Sequence, residues 1–86
     1  MDSIMDIKDT AELMISSDYK DRFKAEYIQT KIRYDKLHQM LVKLEAKTLG
    51  FEPNCPKTLL MEQKCYMGEY LRVLEIRAEI EGVSLS

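Results

Sequence analysis

Hydrophobic residues in the first half of the chain recur with the spacing of a helix that packs lengthwise on another helix. From Tyr19 to about Lys47, they follow one another in alternating steps of four and three residues. These positions are Phe23, Tyr27, Thr30, Tyr34, Leu37, Leu41, Leu44 and Thr48. Alternating steps of this kind form the a/d seam of paired helices. At roughly 1.5 Å per residue, the pattern predicts a rod about 43 Å long.

The second half of the chain predicts another long helix, with signals at both ends. Pro56 suits the first helical position, where its missing N–H has no intrahelical partner, and Gly82 suits the left-handed residue past the end. Apolar residues occupy two faces of this helix, rotated from one another by about 100°. The first stripe is Leu60, Met67, Tyr70, Leu71, Leu74 and Ala78, and the second is Leu59, Tyr66, Val73, Ile76 and Ile80.

Turn-forming residues separate the two rods, because Gly50 and Pro53 lie between them. A short connection makes consecutive helices antiparallel neighbours. A short helix is also predicted near residues 10–16, after a capping-box-like sequence that runs from Asp9 to Glu12. The predicted fold is therefore all-α, a long antiparallel helical hairpin with a short N-terminal helix. The single domain 1–86 divides into an N-terminal segment 1–17, a helix 18–48, a turn 49–55 and a helix 56–82.

The second apolar stripe predicts a partner for the hairpin. With the turn centred near residue 52, Leu37 is expected to face Met67, and Tyr27 to face Arg77. Two helices in contact bury one stripe each, so the other stripe would leave an unusually large apolar patch on a monomer. We therefore expect a homo-oligomeric helical bundle. Its predicted interface is Leu59, Tyr66, Val73, Ile76 and Ile80.

Composition narrows the classes of partner. The formal net charge of −2 weighs against nucleic acid as a partner, because sequence-independent binding depends on clustered Lys and Arg. The apolar runs are too short for a membrane span, and the acidic start of the chain lacks the apolar segment of a signal peptide. Cys55 and Cys65 have no metal-ligand spacing, so we expect two free thiols and no metal site. A cytoplasmic protein is the expectation.

Catalytic templates are missing from the sequence. The single histidine, His38, lies one position off the seam and is interpreted as a surface residue rather than a general base. The chain contains no phosphate-binding glycine loop and no HExxH sequence. We therefore predict a protein that is not an enzyme, with no catalytic residues and no cofactor.

Polar and aromatic residues interrupt the seam away from the turn, and they give the candidate ligand site. Aromatic rings stack on bases, and guanidinium groups bind phosphates. The candidate residues are Arg22, Lys24, Tyr27, Tyr34, Tyr70 and Arg77. A structural interpretation stays open beside the functional one. In it, the tyrosines pack their rings and send their hydroxyls outward, while Arg77 pairs with Glu26 or Glu81.

Four segments resemble a family of small helical proteins encoded by bacteriophages and prophages, some of them crAss-like phages. The segments are Tyr19 to Phe23, Arg33 to Leu37, Cys55-Pro56 and the run from Tyr70 to Gly82. The last run, Tyr-Leu-x-x-Leu-Glu-x-Arg-Ala-x-Ile-Glu-Gly, is the most specific part. The likeness covers roughly residues 18–86 of the chain.

More distantly, the chain resembles the helical-hairpin proteins with which phages sequester cyclic nucleotide signals of bacterial immunity, the anti-CBASS and anti-Thoeris sponges. The shared feature is a hairpin with a Tyr-Leu-x-x-Leu-like second helix. The resemblance implies a small, oligomeric, non-enzymatic protein of the host cell cytosol that binds a cyclic or ADP-ribose-type nucleotide between protomers. Two alternatives stay open. The chain could be an interaction module that inhibits or assembles a phage protein or a host defence protein, or a purely structural oligomer.

Overall fold

The computed structural model describes residues 7–85, and this part of the chain is all-helical. A 3₁₀-helix, Ile7–Thr10, leads into the short helix α1, Ala11–Met14. The two long helices are α2, Tyr19–Glu45, and α3, Lys57–Glu81. No strand occurs within residues 7–85, so the all-α class is confirmed for that range. The expectations for residues 1–6 and for Ser86 lie outside the described residues.

The ends of α2 follow from local hydrogen bonding. The side chain of Asp18 caps the start, because its Oδ1 accepts from the backbone N–H of Lys20 at 2.9 Å. At the other end, Lys47 takes a left-handed conformation with φ 63°. The N–H of Thr48 then donates to the carbonyl of Lys43 at 2.9 Å, as in a Schellman motif. The helix therefore stops three residues before the predicted end, ahead of Gly50.

The ends of α3 lie within one residue of the predicted ones. Pro56 is the N-cap rather than the first helical residue, and Gly82 follows the helix with φ 71°, in the left-handed region. The N–H of Val83 donates to the carbonyl of Ala78 at 2.9 Å. This motif turns the chain back so that the Val83 side chain enters the core beside Ala78.

Contacts between α2 and α3 show that the two helices run in opposite directions. Tyr27 donates to Glu75 Oε2 at 2.6 Å, and Lys57 Nζ pairs with Glu45 Oε1 at 2.7 Å. The facing positions are therefore centred near residue 51, between the end of α2 and the start of α3. The sequence placed Arg77 opposite Tyr27, so the observed register differs by two residues.

The core lies between the two long helices and is densest near the chain ends. Its main cluster joins Phe23 of α2 to Leu74 and Ala78 of α3 and to Val83, with Tyr27 packed against it. Further buried side chains are Leu41 of α2 and Leu71 of α3. Both predicted seams thus contribute buried residues.

The N-terminal helical segment is held on α2 by a buried threonine. Thr10, which is 0% exposed, donates through its hydroxyl to the Ile7 carbonyl at 2.6 Å and accepts from Gln29 Nε2 at 2.7 Å. Gln29 shares a face of α2 with Ala25, which is buried. Because the Thr10 hydroxyl is used in this way, it makes no capping bond to α1, and the N-cap of α1 is Thr10 rather than the predicted Asp9.

The second apolar stripe of α3 faces away from the core. In this single chain its five residues are exposed, from 44% for Val73 to 78% for Ile80. Their burial by another chain therefore stays a prediction. Within residues 7–85, no helix combines the length and the apolarity that a bilayer crossing needs.

Candidate functional site

Two of the sequence-predicted site residues, Tyr27 and Arg77, lie at the core end of the helix pair. The Arg77 guanidinium carbon lies 4.7 Å from the centroid of the Phe23 ring, and its Nε pairs with Glu81 Oε2 at 2.8 Å. These contacts agree with a structural role for Arg77, in which the guanidinium group pairs with a glutamate, here Glu81. The donors of Arg77 are thus partly used within its own chain.

The hydroxyl of Tyr27 is also engaged. Burial first, and then the hydrogen bond and the negative charge of Glu75, raise the pKa of Tyr27 to about 12. The phenol therefore stays neutral at physiological pH and donates to the Glu75 carboxylate.

The remaining predicted residues lie on both long helices. Arg22 Nη1 donates to the Ser16 carbonyl at 2.7 Å and so holds the loop before α2. Lys24 is partly buried, and Tyr70 is 41% exposed on α3. Tyr34 lies about two helical turns along α2 from Tyr27, roughly 10 Å at the usual helical rise. The gathering of these six residues at one ligand site therefore stays a prediction.

A groove of about 560 Å³ runs between the two long helices toward the turn, and we call it the α2–α3 groove. Of the six candidate residues, Tyr34 lines this groove. Its other walls include His38 and Leu41 from α2, and Lys57, Lys64 and Gly68 from α3. The volume falls within the usual range of small-ligand sites, about 300–1,000 Å³.

Tyr34 is the aromatic wall of the α2–α3 groove. The ammonium groups of Lys31 and Lys64 each lie 5.8 Å from the centroid of its ring, within cation–π range. The edge of the ring lies over the backbone of α3 at Gly68. A Cβ at that position would come within 3.3 Å of Tyr34 Cε1. Glycine therefore lets the ring approach the helix closely.

His38 is part of the groove wall rather than a surface residue. The side chain is partly buried, and its Nδ1 is buried with no hydrogen-bond partner within residues 7–85. His38 follows Tyr34 by four positions on α2, so both side chains share one helical face. That spacing is the sequence signal that could have linked His38 to the site.

Charge in the groove is compensated except at one lysine. The two carboxylates that line it are paired, Glu45 with Lys57 at 2.7 Å and Glu69 with Arg72 at 3.2 Å. Lys64 has no carboxylate partner among the described residues, and its ammonium group rests near the Tyr34 ring. An anionic group entering the groove would therefore meet an uncompensated positive charge.

Thiols and metal ligands add no second site in the described part of the chain. Cys55 and Cys65 are free and exposed. No group of three or more His, Cys, Asp or Glu side chains within residues 7–85 is placed to hold a metal ion.

Comparison with known proteins identifies the family. No curated protein matches the chain, and no solved structure matches it. The family model named Sequestin matches residues 17–80, which is well over half of the chain and includes all of α2 and nearly all of α3. The family name indicates sequestration of a ligand. The chain therefore belongs to the Sequestin family.

Proposed function

We propose that this protein binds and sequesters a nucleotide immune signal, of the cyclic or ADP-ribose type, without turning it over. The observation that carries the proposal is the Sequestin match, which spans both long helices. The family name supports sequestration, and the resemblance to helical-hairpin phage sponges supports the class of ligand. A sponge needs affinity rather than catalysis, so the chain needs only groups that bind.

The chemistry of the α2–α3 groove suits such a ligand. A nucleotide offers a planar base and a phosphate. The groove offers the ring of Tyr34 and the uncompensated ammonium group of Lys64. Rings stack on bases, and ammonium groups form charge-assisted hydrogen bonds with phosphates.

The biological setting is part of the same proposal. The resemblance to phage and prophage proteins supports a phage-encoded counter-defence role in the host cell cytosol. There the protein would lower the free concentration of the signal below the level that activates its receptor.

The proposed assembly is a homo-oligomer of helical hairpins. The stripe of exposed apolar residues on α3 supports it, because Leu59, Tyr66 and Val73 recur every seven residues and leave an apolar patch on a single chain. Ile76 and Ile80 extend the same surface toward the end of the helix.

Thermal denaturation with added nucleotides tests the function. A ligand that binds the folded state alone stabilises it by about 2.7 kcal/mol at 100 times its dissociation constant. The panel consists of cyclic dinucleotides, cyclic trinucleotides and cyclic ADP-ribose isomers. We expect at least one to raise the melting temperature, whereas unchanged melting across the panel would contradict the proposal.

The exposed stripe also favours a second candidate function. The same five residues could dock on a host or phage protein, which the chain would then inhibit or assemble. The melting temperature of such a module would not change with any nucleotide of the panel, and the protein would be monomeric without its partner. A nucleotide-responsive oligomer would exclude it.

A further inference from the structure

The α2–α3 groove contains binding groups that the helix pair itself leaves unused. We propose that this groove, rather than the zone around Tyr27 and Arg77, binds the nucleotide, with Lys64 and His38 meeting its phosphate and Tyr34 its base. The inference rests on the proposed function and adds the location of its site.

Glycine at position 68 lowers the stability of α3 but lets the Tyr34 ring lie close to the helix. A glycine inside a helix is destabilising relative to alanine, because it loses more backbone freedom on folding. Gly68 lies in the middle of α3, where no turn requires it. A Cβ at this position would lie 3.3 Å from Cε1 of Tyr34, closer than an ordinary van der Waals contact, so the ring would have to move by a few tenths of an ångström. The glycine therefore keeps the aromatic wall in place.

Lys64 places a positively charged ammonium group beside the Tyr34 ring. Its ammonium group lies 5.8 Å from the Tyr34 centroid and pairs with no carboxylate among the described residues. A cation–π contact of this exposed kind is weak. A phosphate is a stronger partner for an ammonium group. A base that stacks on the ring thus displaces the ammonium group onto the phosphate of the same ligand.

His38 adds an unused polar atom beside this pair. Its Nδ1 is buried without a hydrogen-bond partner among residues 7–85, and an unsatisfied buried polar atom destabilises a fold. The side chain lines the groove, so rotation about its Cβ–Cγ bond is the movement by which Nδ1 would reach a ligand there. A phosphate oxygen there accepts a hydrogen bond from Nδ1 and satisfies it. The arrangement therefore fits a ligand that carries both a ring and a phosphate.

The Tyr27 and Arg77 zone offers less to such a ligand. Arg77 is held by Glu81 and lies over Phe23, and the Tyr27 hydroxyl is bonded to Glu75. A nucleotide bound there would have to break these contacts, whereas the groove contacts improve on binding.

Calorimetry with the same panel of cyclic dinucleotides, cyclic trinucleotides and cyclic ADP-ribose isomers tests the location. Lys64→Gln should lower the affinity for the nucleotide that binds most tightly by roughly tenfold or more. Lys36→Gln is the matched control, because Lys36 is an exposed lysine of α2 outside the groove, and it should leave the affinity unchanged. Arg77→Ala should change the affinity by less than about threefold.

Gly68→Ala separates binding from stability. The added methyl group favours the helix but pushes the Tyr34 ring away from α3. We expect the affinity to fall by about fivefold or more while the melting temperature stays within a few degrees of the wild-type value.

The outcomes distinguish the location from the function. Weaker binding in Lys64→Gln and Gly68→Ala, with Arg77→Ala near wild type, supports the groove. Loss of binding in Arg77→Ala alone overturns the groove and leaves the proposed function standing. If the wild-type protein binds no nucleotide of the panel, both the groove location and the proposed function are overturned.

Discussion

Tyr27 is the residue whose protonation is most altered by folding among those described. Its ring packs against the core cluster, and its hydroxyl donates to Glu75. Because burial and then Glu75 favour the neutral phenol, the pKa of Tyr27 is raised to about 12, whereas an unfolded tyrosine titrates near about 10. A pKa raised by folding means that the group stabilises the folded state below the unfolded value. That contribution is lost as the pH rises through the folded value.

We therefore expect the free energy of unfolding to fall between about pH 10 and about pH 12, and to fall less in Tyr27→Phe. Urea denaturation across that pH range measures the free energy of unfolding of wild type and of Tyr27→Phe. Subtracting one from the other cancels the titration of the lysines that both proteins contain. Tyr70→Phe, which alters a tyrosine that is 41% exposed and outside the second apolar stripe, is the control and should show the wild-type pH slope. Equal pH slopes for wild type and Tyr27→Phe would contradict the assignment.

At the scale of the helices, stability depends on the seam between α2 and α3. Leu74 is 1% exposed and Leu41 is 7% exposed, one on each helix. Truncation of either to alanine should lower the free energy of unfolding by about 2–5 kcal/mol, through lost burial and a cavity. Met61→Ala is the control at a half-exposed position of α3 and should cost within about 0.5 kcal/mol. Denaturant unfolding measures all three, and a small effect at Leu74 would place it outside the seam.

The sequence predicted the boundaries of the helices better than the register between α2 and α3. Pro56 and Gly82 mark the ends of α3 because the chemistry of a helix terminus is local. The end of α2 gave no such signal, because Lys47 takes the left-handed position that glycine usually fills. The register depends on the path of the connection, and a shift of two residues turns a helix position by about 200°.

That shift decides which groups form the site. In the observed register, Tyr34 meets Gly68 rather than Tyr70, and Tyr27 meets Glu75 rather than Arg77. The groove around Tyr34 could therefore not be assembled from seam positions alone.

At the scale of the whole molecule, the exposed stripe on α3 predicts the assembly. Val73 and Ile76 are 44% and 47% exposed in the single chain. Changing both to Asp should dissociate the oligomer without unfolding the protomer, because charge is costly in an apolar interface but not in water. Light scattering gives the mass, and circular dichroism the helix content. Met14→Asp with Ile15→Asp, exposed apolar positions off the stripe, should leave the mass unchanged.

A wild-type protein that is already monomeric at micromolar concentration would contradict this assembly. The stripe would then be available to a different protein, as in the second candidate function.

Binding followed by release shows whether the protein holds a nucleotide without converting it. The wild-type protein is saturated with the panel member that binds most tightly, separated from free ligand, and denatured by heat. We expect saturable heats of binding, and we expect the released nucleotide to be recovered chemically unchanged, in a fixed ratio to protomers. Recovery of a hydrolysed product, or no heat of binding with any cyclic nucleotide or cyclic ADP-ribose isomer, would contradict it.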